Sequence, residues 1–440
     1  MENEDFDFTE DQLQEIKTEN ISLGFSLDMI RTTRVSQGFN VGEGGTIYSD
    51  PIIVGERVLF GACDRFLYCL DKKTGKLVWK FRCGGVVNSP IQKDGVVYFG
   101  SYDNNVYAVD MGGRLVWKFE TRDKAAYKPV VFMDMICVGS KDRHMYALDI
   151  RTGRLRWKFE THGRVSAQAS VHKDMLLFGS SDKNLYALDR NGRRCWKFAT
   201  QGHVSVPVVH NGIVYFTSMD HYIYAIRLSD QRLLWRYRAM LSFASMTKAT
   251  IHGDSAYFPS RDYYLYKLAL DGRLQWKFKT SHMTHSNPLV HEGVVYFGSD
   301  DDYFYAVDSE TGRLLWKYKT QGPVLSDPAM DGGMIYFGSW DCHLYAMTTG
   351  GKLVWKFMTS SAVQSGVDVE MRIVSEPMEM VTPEQVEVKI EDNEEERASD
   401  YGSFSASYVT SMPDYTGAEE IDVGSLAEIK KYKGLGRKYR

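Results

Sequence analysis

Residues 294–318 read VVYFGSDDDYFYAVDSETGRLLWKY. Aromatic and β-branched residues alternate in three short runs, VVYFGS, YFYAVD and RLLWKY, and strict alternation over four to six residues marks a strand with one face toward each side. Asp301 sits in the first break and Thr311-Gly312 in the second, where a carboxylate accepts turn amides and a glycine supplies positive φ. A fourth run precedes these three and begins at Pro288. The unit is therefore four short antiparallel strands joined by hairpins.

The same unit recurs along the chain. Trp79, Trp117, Trp157, Trp196, Trp235, Trp276, Trp316 and Trp355 follow one another at steps of 38, 40, 39, 39, 41, 40 and 39 residues. The hairpin aspartate recurs as Asp64, Asp103, Asp142, Asp182, Asp220, Asp262, Asp301 and Asp341, and a proline opens the first run at positions 51, 90, 129, 207, 288 and 328. A four-stranded sheet with two apolar faces buries neither alone and must stack on copies of itself. Eight copies closing radially predict an all-β fold, an eight-bladed β-propeller of four-stranded antiparallel blades. Eight aspartates at equivalent turns are read as turn formers and not as a calcium site.

Composition agrees with this reading. The 440 residues include 27 Tyr, 22 Phe, 9 Trp and 38 Gly, the mixture expected of many short strands and tight turns. A length that suggests two or three domains is instead one ring over residues 43–360 with appended ends. The formal charge of −4 gives no global field toward nucleic acid or anionic membrane. No apolar run is long enough to span a bilayer, and the acidic start MENEDFDF lacks the positive and apolar character of a secretory signal. Six cysteines form no CxxC pair and no metal-spaced cluster. The expectation from these features is a cytoplasmic protein with reduced thiols.

Ala147 to Trp157, ALDIRTGRLRW, matches the tryptophan-docking pattern AxDxxTGxxxW of the quinoprotein-type propellers, as does Ala306 to Trp316; Cys69 to Trp79 matches with Cys for Ala. The chain resembles that PQQ-like repeat family over residues 43–360. The resemblance implies that each tryptophan lies flat between adjacent blades, filling the gap while its N–H finds a partner. Blades two, four, six and eight shorten the turn by one residue. Blade five departs most, with Arg227 for Asp and Gln231 for Gly, which predicts weaker docking at Trp235. The family's dehydrogenases bind pyrroloquinoline quinone with a vicinal disulfide, calcium and a catalytic Asp. This sequence has no adjacent cysteines, so the expectation is no enzyme, no cofactor and no metal. A second branch, the periplasmic lipoprotein that assists outer-membrane protein assembly, implies a signal peptide and a lipid-accepting cysteine. Neither is found near this start, which points to the cytosolic binding-module branch.

Function is sought where the repeats disagree, because repeated residues are accounted for by the ring. The residue before the opening proline runs Asp50, Ser89, Lys128, Gln168, Val206, Lys248, Asn287, Asp327, and the residue before the turn Asp runs Cys63, Tyr102, Lys141, Ser181, Met219, Arg261, Asp300, Trp340. Together they predict a polar mouth with separated charge: Lys128, Lys141 and Arg143 on blade three, Lys248 and Arg261 on blade six, and Asp300, Asp302, Asp327 and Asp50 across blades seven, eight and one. Trp340, the one tryptophan outside the series, and Tyr102 are the expected anchors for a protein partner. His282 and His285 near Asp300 are read as polar loop histidines, since a zinc site needs three or four convergent ligands.

The ends read differently from the ring. Residues 1–42 are a polar extension whose later part imitates an inter-blade junction, and residues 361–374 imitate another first strand; one of the two is expected to clasp the ring. Residues 375–440 form an acidic linker ending in IKKYKGLGRKYR, where Lys430, Lys431, Lys433, Arg437, Lys438 and Arg440 stand among tyrosines. The leading expectation is a non-enzymatic protein-binding scaffold using the loop face and this tethered tail. Nucleic-acid contact through the tail and quinone or other small-ligand binding are the alternatives.

Overall fold

The computed structural model describes residues 45–125, 127–165, 168–241 and 248–359. The reading of residues 1–42 and 361–440, tail cations included, lies outside the described residues. The described chain forms 32 strands, numbered β1 to β32, in eight four-stranded antiparallel sheets, each made of four consecutive strands in simple meander order. In blade one these are β1 (Ile52–Val54), β2 (Arg57–Gly61), β3 (Phe66–Asp71) and β4 (Leu77–Arg82). The first strands of neighbouring blades lie against one another and so surround the axis, and the fourth strands form the outer wall. The predicted eight-bladed propeller is the observed fold.

The core lies between blades. The middle two strands bury nearly every side chain, as in β2 and β3, whereas outer strands alternate exposed and half-buried residues. A register shift recurs in the third-to-fourth-strand pairing of all eight blades, as between Cys69 and Leu70 or Ala147 and Leu148. It sets each docking tryptophan opposite a small residue, Ala147 against Trp157 for example. Blade six instead places Lys267 opposite Trp276, and both side chains donate to the Ser309 carbonyl of the next blade, at 2.8 and 3.0 Å.

Tryptophan docking runs from each blade to its successor. Trp117 Nε1 donates to the Ile150 carbonyl at 3.1 Å, and the ring lies over Gly153, whose φ of 69° admits no ordinary side chain and whose added Cβ would lie 2.6 Å from the indole. Equivalent bonds of 2.9 to 3.2 Å leave Trp79, Trp157, Trp235, Trp276, Trp316 and Trp355. This geometry corrects the expectation for blade five. Trp235 docks normally on Leu270 of blade six. The substitutions in blade five act on Trp196 of the preceding blade, because Gln231, held at φ 58°, spends its side-chain amide on the Leu228 carbonyl at 2.9 Å. Trp196 makes no indole hydrogen bond among the described residues.

The eight turn aspartates are structural. Asp103 accepts Tyr107 Oη at 2.8 Å, the Asn105 amide at 3.1 Å and, from the connector leaving blade one, the Gly84 amide at 2.7 Å. These bonds hold the Asp103 carboxyl below its usual range against the opposing effect of burial. The tyrosine bond recurs in all eight blades at 2.5 to 2.8 Å.

Ring closure uses no exchanged strand among the described residues. Blade eight, β29 (Ala329–Asp331) to β32 (Leu353–Met358), meets blade one through the same wedge as any other pair, with Trp355 Nε1 donating to the Lys72 carbonyl at 3.1 Å. The segment before β1 supplies the missing connector: the Ile47 amide donates to Ser339 at 3.1 Å, and Ile47 joins Phe60, Tyr68, Tyr336 and Phe357 in one core cluster.

Candidate functional site

The connectors entering each blade and the hairpins between its second and third strands emerge together on one face. Backbone bonds tie them: the Tyr102 amide donates to Val86, and the Lys141 amide to Lys124. On the axial side of this face the residues preceding the prolines form a chain of bonds from blade to blade. The Lys248 amide donates to Asn287 Oδ1 at 2.7 Å, the Asn287 amide to Asp327 Oδ1 at 2.7 Å, the Asp327 amide to Asp50 Oδ1 at 3.0 Å, and the Asp50 amide to Ser89 Oγ at 2.9 Å.

The expected charge separation is absent there, because the cations reach past the intervening blade. Lys128 Nζ lies 3.2 Å from Asp50 Oδ2, and Lys248 Nζ lies 3.8 Å from Asp327 Oδ2, each pair skipping a blade. Burial and then the neighbouring Asp50 carboxylate push Asp327 up to about 6. Burial works against the charge on Lys128, but Asp50 and Asp327 outweigh it and hold its ammonium above the usual range. Two carboxylates and two ammoniums make a self-neutralised plug.

Farther out, the face is irregular. Tyr102 carries two ammoniums over its ring, Lys124 Nζ at 4.9 Å and Lys141 Nζ at 5.5 Å. Lys141 is only 7% exposed, so it braces Tyr102 and is not the open charge of the mouth that the sequence suggested. Lys124 escaped the sequence reading because it lies in the connector and outside both columns. Arg143 is exposed, pairs with Glu160 at 3.4 Å, and lines an open polar cleft of about 590 Å³ with Arg122, Lys158 and His144.

Blades six and seven meet around Asp300, which is also interior, at 6% exposure. His285 Nδ1 lies 3.0 Å from each of its oxygens, and His282 Nδ1 lies 3.8 Å from Oδ2. The loop therefore turns both histidines toward one carboxylate. Burial raises the Asp300 carboxyl, but the two imidazoles outweigh it and leave the group below its usual range. Half-buried Arg261 makes no hydrogen bond or ion pair among the described residues, and burial lowers its pKa with Asp300 partly opposing. Asp302 is likewise without a side-chain bond; burial and then Asp301 raise its carboxyl. Trp340 is half-buried, and its indole N–H is shielded from solvent with no acceptor among the described residues.

The donor set does not suit the quinone and calcium of related dehydrogenases. The axial carboxylates are already spent on Lys128, Lys248 and the Asn287 amide, and the chain has no adjacent cysteines to form the vicinal pair. No group of three or more His, Cys, Asp or Glu side chains among the described residues has metal-binding geometry.

A family model described as outer membrane protein assembly factor BamB matches residues 31–126, 93–200, 141–277 and 261–376. The chain belongs to this PQQ-like propeller family. Outer membrane protein assembly factor BamB of Burkholderia pseudomallei is 25% identical over 115 residues, which are 26% of this chain and 30% of that protein. The mouse beta-alanine-activating enzyme is 28% identical over 107 residues, 22% of this chain and 10% of that enzyme. The chain thus spans less than a third of either relative. Among solved structures, the designed protein Ika8 superposes with a TM-score of 0.63 at 16% identity, covering 70% of this chain and 97% of the design. BamB of Moraxella catarrhalis gives 0.57 at 17% identity over 69% and 94% of the two chains. A europium-containing methanol dehydrogenase gives 0.57 at 14% identity over 70% and 83%. These likenesses establish the propeller.

Proposed function

We propose that this PQQ-like propeller is a non-enzymatic scaffold whose loop face binds a protein partner. The observation that carries the reading is Trp340. Seven of the eight series tryptophans donate their indole N–H across a blade seam, whereas Trp340 stands on the loop face with a shielded N–H and no acceptor among the described residues. An unmade bond of this kind costs about 1–3 kcal/mol, and tryptophan, tyrosine and arginine dominate protein-binding hot spots. Arg261, without an ion pair among the described residues, and Tyr102, braced by two lysines, complete the set. The protein-assembly role in the BamB name supports a binding function, and the partner of this chain is taken to be different in kind. Six free thiols, five of them buried, suit a reducing compartment, so we place the scaffold in the cytoplasm.

The test is quantitative capture of partners from lysate by the full chain and by a Trp340→Ala, Arg261→Glu double variant of equal thermal stability. Loss of the enriched partners with the double variant supports the reading; an unchanged partner set sinks it.

A further inference from the structure

The formal charge of −4 conceals a segregation. Residues 45–359 hold 41 Lys and Arg against 30 Asp and Glu, whereas residues 1–44 hold 3 against 10 and residues 360–440 hold 9 against 17. Much of the ring's excess lies on the outer wall. The eight outer strands together carry 14 basic residues and only 2 acidic ones, Glu120 and Glu160. The residue after every docking tryptophan is a cation, Lys in seven blades and Arg236 in blade five.

Only blades two and three carry a carboxylate on these strands, so the wall from blade four round to blade one has none, and blades seven, eight and one are the end of that stretch at which the described chain ends. Lys317, Lys319, Lys356, Lys80 and Arg82 project there and make no ion pair among the described residues. Aromatic rings lie under all four lysines, most closely for Lys317 at 4.2 Å over Tyr303 and Lys80 at 4.5 Å over Phe66. Exposed Leu77, Val78, Leu315 and Val354 stand between the cations. Lysines guard free sheet edges against pairing with other chains, but one per strand suffices for that. A wall both cationic and apolar, with no carboxylate of its own, has the complement of a segment that is both acidic and apolar.

We propose that residues 384–396 of the same chain, EQVEVKIEDNEEE, dock on the outer wall of blades seven, eight and one. The segment alternates Val386, Val388 and Ile390 with Glu387, Lys389 and Glu391, then continues with four further acids. Its attachment favours this wall over others. β32 is itself the outer strand of blade eight and ends at Met358, so the chain leaves the ring from the surface it is to cover. A tether of about 25 residues reaches roughly 25–30 Å, enough for the neighbouring blades, and such tethers give effective concentrations on the order of millimolar. The contact makes the wall a screened surface that an external polyanion reaches only by displacing the segment. It is separate from the loop face and does not depend on the partner reading.

Zero-length carbodiimide coupling of the full chain, mapped by peptide mass spectrometry on the monomer band, tests the contact. At about 20 mM salt the carboxylates of residues 384–396 are expected to couple to Lys317, Lys319, Lys356 and Lys80, and the yield is expected to fall at least about fivefold at roughly 0.5 M salt, where the Debye length is a few ångströms. A Lys317→Glu, Lys319→Glu variant should shift coupling to blade one. Coupling spread evenly over lysines of all blades, or directed to Lys124, Lys128 and Lys141 on the loop face, overturns the proposal. So does a short DNA duplex that binds the full chain as tightly as a Glu391→Gln, Asp392→Asn, Glu394→Gln, Glu395→Gln, Glu396→Gln variant, since the wall would then be open.

Discussion

The seam between blades three and four and the seam between blades four and five are built to one pattern and finished differently. In the first, Trp157 donates to the Arg190 carbonyl at 3.0 Å and lies over Gly192. In the second, Gln231 replaces the glycine and takes the equivalent carbonyl, Leu228, at 2.9 Å, leaving Trp196 to pack without its bond. The wedge depends on two partners in the succeeding blade, a bare glycine and a free carbonyl, and one substitution removes both. The tryptophan is the visible signature, but the following blade decides its strength.

That contrast is open to breakage. The largest effect is expected from Trp157→Ala, which removes a well-seated ring and its bond at a cost of about 3–5 kcal/mol, read by denaturant unfolding. Trp196→Ala should cost about 1 kcal/mol less, because one hydrogen bond fewer is lost; equal losses would mean that the Trp157 bond contributes nothing. Gln231→Gly should restore the carbonyl to Trp196, seen as a downfield indole proton resonance. At φ 58° glycine relieves backbone strain while adding chain entropy, so the net stability change should stay within about 1 kcal/mol.

A smaller effect belongs to the axial plug. Asp327 titrates at about 6 in the fold, above the ordinary carboxylate range, so the folded state binds more protons than the unfolded chain between about pH 4 and 6. Stability owed to this group rises as pH falls through that window and is lost as pH rises through 6. The turn aspartates act in the opposite sense, Asp103 and Asp341 being held low, so the effect is read as a difference. The melting temperature of the parent relative to Asp327→Asn should increase from pH 7 to pH 4. A constant difference would contradict the buried-carboxylate account.

The fold was legible because it is written eight times: steps of 38 to 41 residues, a turn aspartate in every unit and a proline in six of them leave little else to build. The docking direction was not, since the Trp and the turn that receives a different Trp lie within one repeat, and only the closed ring shows which meets which. The two columns of variable residues were legible as a face. Their pairing was hidden, because Lys128 with Asp50 and Lys248 with Asp327 become neighbours only when the ring brings blades two repeats apart together at its centre. Burial of Lys141 and Asp300 was hidden for a related reason: Tyr102 and His285, which cover them, are read as exposed loop residues in one dimension. The charge segregation was present in the sequence but vanished in the sum over the whole chain.

The central claim is that repeated residues hold the ring and unrepeated ones on the loop face meet the partner. A photo-crosslinking amino acid placed at position 321, an exposed connector residue bonded to the turn beside Trp340, in one protein and at position 116, on the outer strand of blade two, in another reads contact directly. The account predicts a partner adduct from position 321 and none from 116, with both proteins as stable as the parent. An adduct from 116 with none from 321 would contradict it.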